Sequence, residues 1–207
     1  MSRLLSKSMR PSSGVIYICT LFTLAFFLSI NYALTRPPIE SLFLKEFGSQ
    51  AMPTAWIVTT IAVFVVASVY NRFGAHVPLL HLMGYFSLFN ALFISTLFWL
   101  QRQGVPHLTF AMYIWKDVYI VAIIEIFWAF ANHVFTQRKA KWLYGLFCAI
   151  GSAGSIVGSL KVKNLAVHWG TTQMIWLIPI SFLLLTFLSW SFARILSLSP
   201  PQQESPT

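Results

Sequence analysis

Residues 15–34 read VIYICTLFTLAFFLSINYAL and contain no charged side chain. A helix of about 20 such residues is long enough to cross the hydrocarbon core of a bilayer, which is about 30 Å thick. The preceding segment, MSRLLSKSMR, is basic like the start of a signal peptide. The apolar core of a signal peptide is shorter, however, at about 7–15 residues. The stretch therefore predicts a first transmembrane helix.

The whole chain has the composition of a membrane protein. Its 207 residues are 57% hydrophobic and 9% charged, whereas about 25% of the residues of a soluble domain are charged. The net charge of +9 does not indicate nucleic acid binding, because the basic residues lie between apolar segments and form no single patch. We therefore expect a lipid bilayer around the chain and no nucleic acid partner.

Five further apolar segments follow the first one. Together the segments predict six transmembrane helices, at about 15–35, 53–71, 77–100, 110–133, 142–160 and 173–196. The predicted fold class is thus an all-α membrane protein with one six-helix domain, residues 15–196. Residues 36–52 open with Pro37 and Pro38 and are expected to form the longest loop, with a short interfacial helix inside it as an open alternative. The polar residues 197–207 are expected to form a disordered tail.

The orientation is predicted from the distribution of Lys and Arg between the short loops. If residues 1–14 lie inside, the inner side holds Arg3, Lys7, Arg10, Arg72, Arg138, Lys139, Lys141 and Arg194. The outer side then holds Arg36, Lys45, Arg102, Lys161 and Lys163. The excess on the inner side favours cytoplasmic positions for both termini.

The fourth predicted helix carries ionisable residues within its span. Lys116 and Asp117 lie near its outer end and Glu125 lies close to its middle. A charged side chain at the centre of a span costs about 2.5–3.5 kcal/mol on insertion scales, so it calls for a partner or a function. Glu125 and Asn132 are seven positions apart and point within about 20° of each other, which makes one polar stripe. Lys116 points the opposite way.

The sequence leaves two interpretations of Glu125 open. In a transport pathway it would bind a substrate cation, carry a proton or pair with a mobile basic residue. Otherwise its carboxylate makes a structural hydrogen bond to a neighbouring helix. For Lys116 and Asp117 the simpler interpretation is a local ion pair, with the lysine extending to the membrane interface.

The residue patterns of catalysts and cofactor sites are missing from the sequence. It shows no zinc-ligand spacing, no phosphate-binding glycine loop and no nucleophile constellation. We therefore expect no enzyme activity, no metal and no cofactor.

The fifth predicted helix contains the stretch GLFCAIGSAGSIVGSL, residues 145–160, in which small residues recur at a spacing of three or four. Small side chains let two membrane helices approach closely. Gly151, Gly154, Ser155 and Gly158 therefore predict a tight helix contact.

Residues 116–160 resemble the ATP/ADP carrier family, the nucleotide transporters of plastids and intracellular bacteria within the major facilitator superfamily. The matching residues are Phe127, Trp128, Phe130, Ala131, Asn132, Ala140, Lys141, Tyr144 and the small residues of the fifth helix. The resemblance covers most of residues 30–160. It implies the N-terminal half of a twelve-helix antiporter in a bacterial inner (plasma) membrane.

Members of this family are thought to recognise phosphate through lysines around the first two helices and an acid in the fourth. In this chain Ile39 stands at the first lysine position, and Asp117 is the nearest counterpart of the acid. The resemblance implies Arg36 as an outer anion contact and Glu125 as a buried polar switch beside Asn132. The expected cargo is an organic solute, with nucleotides and other anions among the candidates.

One half of such a carrier leaves the substrate site open to lipid, because the site lies between the two halves. We therefore expect a homodimer or a separate second half as partner. The alternative is a structural or accessory membrane subunit that descends from such a carrier and does not transport.

Overall fold

The computed structural model describes residues 11–73, 77–135 and 137–197, and in these ranges the chain is all-helical. The helices are α1 (Pro11–Phe47), α2 (Met52–Phe73), α3 (Leu79–Arg102), α4 (Leu108–Val134), α5 (Gln137–Trp169), α6 (Thr171–Met174) and α7 (Leu177–Ser197). A single 3-10 turn, Ser49–Ala51, joins α1 to α2. The all-α fold class is confirmed.

The long helices suit a lipid environment. By length and composition, five of those described can cross a membrane, over Gly14–Phe47, Ser49–Tyr70, Leu79–Arg102, Trp142–His168 and Leu177–Ser197. Helix α4 is also long, at 27 residues, but it carries the charged residues Lys116, Asp117 and Glu125. Helices this apolar imply a bilayer, and the chain is an integral membrane protein.

The first helix is longer than the sequence predicts. It runs through Pro37 and Pro38 to Phe47, so most of the expected loop of residues 36–52 is helical. A proline lacks the N–H that an interior helix position donates, but membrane helices tolerate proline where neighbouring helices compensate. Here Ile39 and Phe43, both fully buried, anchor the segment after the prolines in the core.

The ends of the other helices differ less from the prediction. Helix α5 begins before the expected residue 142 and continues past 160 to Trp169, and the last long helix begins at Leu177 after the short α6. The predicted tail lies outside the described residues except for Ser197, and so do residues 1–10 of the predicted N-terminal segment.

The six long helices pack in two layers. In the first layer α4 packs between α2 and α1, and α1 also packs against α5. In the second layer α3 and α7 pack against each other, with α3 behind α4 and α7 behind α1. Helices α1 and α4 are therefore the centre of the bundle, and both carry charged residues.

The contact between α1 and α5 depends on glycines, which have no side chain. A Cβ atom on Gly154 would clash with the backbone oxygen of Phe26, and one on Gly158 would lie 2.7 Å from the Cβ of Ala33. Gly151 faces Ser29 in the same contact, with 3.0 Å between a Cβ at Gly151 and the Ser29 Oγ. Ser155 is half-buried on the same helix. The backbones of the two helices thus approach closely, as small residues in membrane helices permit.

Candidate functional site

A cluster of four charged side chains joins α1 to α4. On α1, Arg36 Nε donates a hydrogen bond to Glu40 Oε1 over 2.8 Å, one helical turn away. On α4, Lys116 Nζ lies 2.9 Å from each carboxylate oxygen of Asp117. The same Nζ lies 3.3 Å from Glu40 Oε1, which links the two helices. We call Arg36, Glu40, Lys116 and Asp117 the charge cluster.

Lys116 is the buried member of the cluster, with 2% of its side chain exposed. A buried ammonium group needs compensating partners, because leaving water costs several kcal/mol. Glu40 and Asp117 supply two carboxylates, and the ring of Tyr113 lies 4.1 Å from Nζ for a cation–π contact. The expected ion pair with Asp117 is present, but Lys116 does not extend to the interface, since these partners hold it inside the bundle.

Aromatic side chains surround the cluster. The ring of Tyr113 packs on Phe43 of α1, with 4.2 Å between the ring centroids. Trp56 of α2 donates from Nε1 to the Tyr113 hydroxyl over 3.1 Å. At the exposed end of the cluster, Arg36 lies over the ring of Tyr32, 5.9 Å from its centroid, and more than half of its side chain is exposed. The cluster is therefore enclosed at Lys116 and open at Arg36.

Glu125 lies apart from the charge cluster, nine residues further along α4. It lines a pocket between α2 and α4 together with Tyr70, and the remaining wall consists of valines and alanines. Within the part of the chain that the structure describes, the Glu125 carboxylate has no ion pair or hydrogen bond. Its side chain is exposed. In the single chain this carboxylate is thus exposed although α2 packs beside it, and its role as a buried polar switch stays a prediction.

Asn132 lies further along the exposed face of α4. Its Oδ1 accepts a hydrogen bond from the Tyr144 hydroxyl of α5. The Tyr144 ring also packs edge-on against Trp128, with 4.9 Å between centroids. Asn132 therefore ties α4 to α5, and at 1.5 Å per residue it lies about 24 Å along the helix from Lys116.

The predicted site residues thus fall into three places. Arg36, Lys116 and Asp117 meet in the charge cluster, whereas Glu125 and Asn132 lie separately on the exposed face of α4. Sequence reasoning missed Glu40 as the link between α1 and α4. The spacing of four between Arg36 and Glu40 is the signal for an ion pair on a helix, but the prolines between them predicted a loop.

The chain is similar to known carriers over part of its length. It is 22% identical over 175 residues to ADP,ATP carrier protein 3 of Rickettsia felis, which covers 72% of this chain and 34% of that protein. It is 36% identical over 66 residues to ADP,ATP carrier protein 3 of Rickettsia typhi, which covers 31% of this chain and 13% of that protein. No family model matches the chain. No solved structure matches it.

The chain therefore spans about a third of the length of the first of these relatives. Distant similarity to two carriers, together with the apolar helices, supports a transporter-like membrane protein.

Proposed function

We propose that this chain is one half of a membrane carrier that moves an organic solute by alternating access. A second copy or a separate second half completes the pathway, in the manner of the major facilitator superfamily. Both termini lie in the cytoplasm, and the membrane is a bacterial inner membrane. The relatives are named ADP,ATP carriers, so nucleotides and other anions are the first solutes to test.

The observation that carries this proposal is the position of Glu125. Its carboxylate lies about two thirds of the way along a 27-residue helix, is exposed, and has no ion pair among the described residues. A charge that faces lipid at this depth is costly, so ionisable residues in membrane spans almost always face a bundle interior or a water-filled cavity. A pathway between two halves supplies such a cavity on this face of α4.

Arg36, on α1, supports an anion contact at the exposed end of the charge cluster. Its Nε donates to Glu40, its side chain is more than half exposed, and its fork-shaped guanidinium has further donors. Lys116 is different, because it is buried against Glu40, Asp117 and the Tyr113 ring. A phosphate group would have to displace a carboxylate to reach Lys116.

The charge cluster also favours a second candidate, an accessory subunit that does not transport. Two cations and two carboxylates neutralise each other within the chain. Such a cluster stabilises the contact between α1 and α4 whether or not a solute passes.

Uptake into proteoliposomes separates the accessory subunit from a carrier that a second copy of this chain completes. The purified chain is reconstituted and offered labelled ATP and ADP, then a panel of labelled carboxylic acids and amines. We expect uptake of at least one solute and its loss in Glu125→Gln, at equal amounts of reconstituted protein. The matched control is Glu46→Gln, which removes an exposed carboxylate at the end of α1 and should leave uptake unchanged. Uptake that survives in Glu125→Gln would refute the role of this residue.

A further inference from the structure

The pocket at Glu125 has the size of a small ligand. It lies between α2 and α4 and has a volume of about 130 Å³. An engineered apolar cavity of about 150 Å³ binds benzene. The pocket can therefore enclose a group slightly smaller than a benzene ring.

The walls of the pocket are apolar except at two side chains. Valines and alanines such as Val63, Ala67 and Val118 form most of the surface, and Tyr70 and Glu125 provide the polar groups. The hydroxyl of Tyr70 can donate or accept a hydrogen bond, and its ring face attracts cations. The pocket thus combines one carboxylate, one aromatic ring and a hydrophobic lining.

The other acidic residues of the described helices do not compete for the same ligand. Glu40 and Asp117 already hold Lys116, and Glu40 also holds Arg36. Glu46 is exposed at the end of α1. Glu125 is therefore the carboxylate in this part of the chain that combines a pocket with the absence of a basic partner.

The chemistry of this pocket selects among ligand classes. An anion would be repelled by the carboxylate, and a neutral ligand would leave the charge uncompensated. A calcium ion takes six to eight oxygen ligands, whereas the described residues contain no group of three His, Cys, Asp or Glu side chains that could hold a metal ion. A single carboxylate beside an aromatic ring is sufficient for an ammonium or guanidinium group, and the valines suit a short alkyl chain.

We propose that the pocket between α2 and α4 binds a small organic cation, an alkylammonium or alkylguanidinium group, through Glu125 and Tyr70. This inference deepens the proposed function and rests on it in one respect, that the bound cation is then a solute of the carrier. Binding can be measured without transport, so the two proposals fail separately.

The test is binding of n-butylammonium to the full chain in phosphatidylcholine nanodiscs, measured by calorimetry. Butyrate and 1-butanol have similar alkyl chains and serve as the anionic and neutral probes. We expect n-butylammonium to bind and the other two not to bind. Glu125→Gln should weaken n-butylammonium binding by roughly 10- to 100-fold, the range for loss of a hydrogen bond to a charged group. Glu46→Gln is the matched control and should bind like the natural chain.

A second variant tests the pocket while the carboxylate is kept. Ala67→Leu places a branched side chain in the wall contributed by α2, where Ala67 is only half-buried. It should weaken binding of n-butylammonium more than binding of methylammonium, because less space remains for the alkyl chain. Equal losses for both probes, no binding of n-butylammonium to the folded natural chain, or unchanged binding in Glu125→Gln would each overturn the proposal.

The ammonium group could belong to a free solute or to the headgroup of a lipid. Tyr70 lies one turn from the end of α2, within reach of a headgroup, so the binding measurement is repeated with phosphatidylethanolamine in the nanodisc. Weaker apparent n-butylammonium binding there identifies a lipid amine as an occupant, and unchanged binding identifies a free solute. Both results support the cation site. If binding is found and proteoliposomes take up no amine, the site stands and the carrier function fails.

Discussion

The charge cluster and the Glu125 pocket lie on the same helix, about 13 Å apart along its axis. They differ in whether a charged side chain has a partner of opposite charge. In the cluster, Lys116 is 2% exposed and two carboxylates compensate its charge. In the pocket, Glu125 is exposed and has no ion pair among the described residues. A balanced buried cluster holds two helices together, whereas an unbalanced exposed carboxylate is available to a ligand. Charge in a membrane helix therefore indicates function only when the chain itself does not neutralise it.

The largest expected effect comes from breaking the cluster. Lys116→Met should lower the free energy of unfolding by about 3 kcal/mol, because Glu40 and Asp117 lose the cation between them. The value is at the low end for a buried pair, since both carboxylates are about a quarter exposed. Thermal unfolding in detergent, followed by tryptophan fluorescence, measures the change. Lys45→Met, at the exposed end of α1, is the control and should leave the unfolding midpoint unchanged.

A double substitution sharpens this prediction. Adding Asp117→Asn to Lys116→Met removes the carboxylate that makes both of the lysine's shortest contacts. The double variant should then recover part of the lost stability. If the double variant is less stable than Lys116→Met alone, charge balance does not explain the role of the cluster.

The fold was predictable from the sequence where hydrophobicity decides it. Each of the six predicted spans overlaps a long helix, because an uninterrupted apolar run has few alternatives in a bilayer. The extension of α1 through Pro37 and Pro38 was not predictable, because it depends on the burial of Ile39 and Phe43 in the core of the bundle. The local sequence shows that a proline destabilises the interior of a helix. It does not show that packing against a neighbouring helix compensates for this cost.

The residue types of the candidate site were predictable from the sequence. Which of these residues pair with each other was less predictable. The charges of α4 were evident, and so was the shared stripe of Glu125 and Asn132. The pairing of Lys116 with Glu40 joins residues 76 positions apart, and no local pattern predicts it. The exposure of Glu125 also depends on which helices pack beside α4, so its role as a buried polar switch in a complete carrier stays a prediction.

We expect the contact between α1 and α5 to fix the position of α1, so that α1 and α4 can form the charge cluster. Gly154→Ala tests this second contact, because the added Cβ would clash with the backbone oxygen of Phe26. We expect a loss of about 1–3 kcal/mol of stability, the usual cost of overpacking. Gly145→Ala is a matched control on the same helix, since nothing lies within 4 Å of a Cβ there. Equal unfolding midpoints for the two variants would show that the close approach of α1 and α5 is not required.

Glu125→Gln should have a much smaller effect on stability. The side chain is exposed and has no ion pair to lose among the described residues, so we expect a change within about 0.5 kcal/mol. The same thermal unfolding measurement applies, with Glu46→Gln beside it. A large loss of stability would mean that Glu125 is a structural residue like Lys116, and the distinction between the two regions would fail.

The smallest effect on stability is expected at Arg36. It is the exposed member of the charge cluster and can therefore be compared with the exposed Glu125 of the pocket. Arg36 and Glu40 form an exposed pair one turn apart, and such helix pairs contribute about 0.3–0.5 kcal/mol. Arg36→Gln should therefore leave the unfolding midpoint nearly unchanged, because Lys116 still neutralises Glu40. If Arg36 contacts an anionic solute, the same variant should raise the KM for that solute in proteoliposomes without changing the amount of reconstituted protein. A marked loss of stability together with an unchanged KM would assign Arg36 to the structural part of the cluster, and the outer anion contact would have to lie elsewhere.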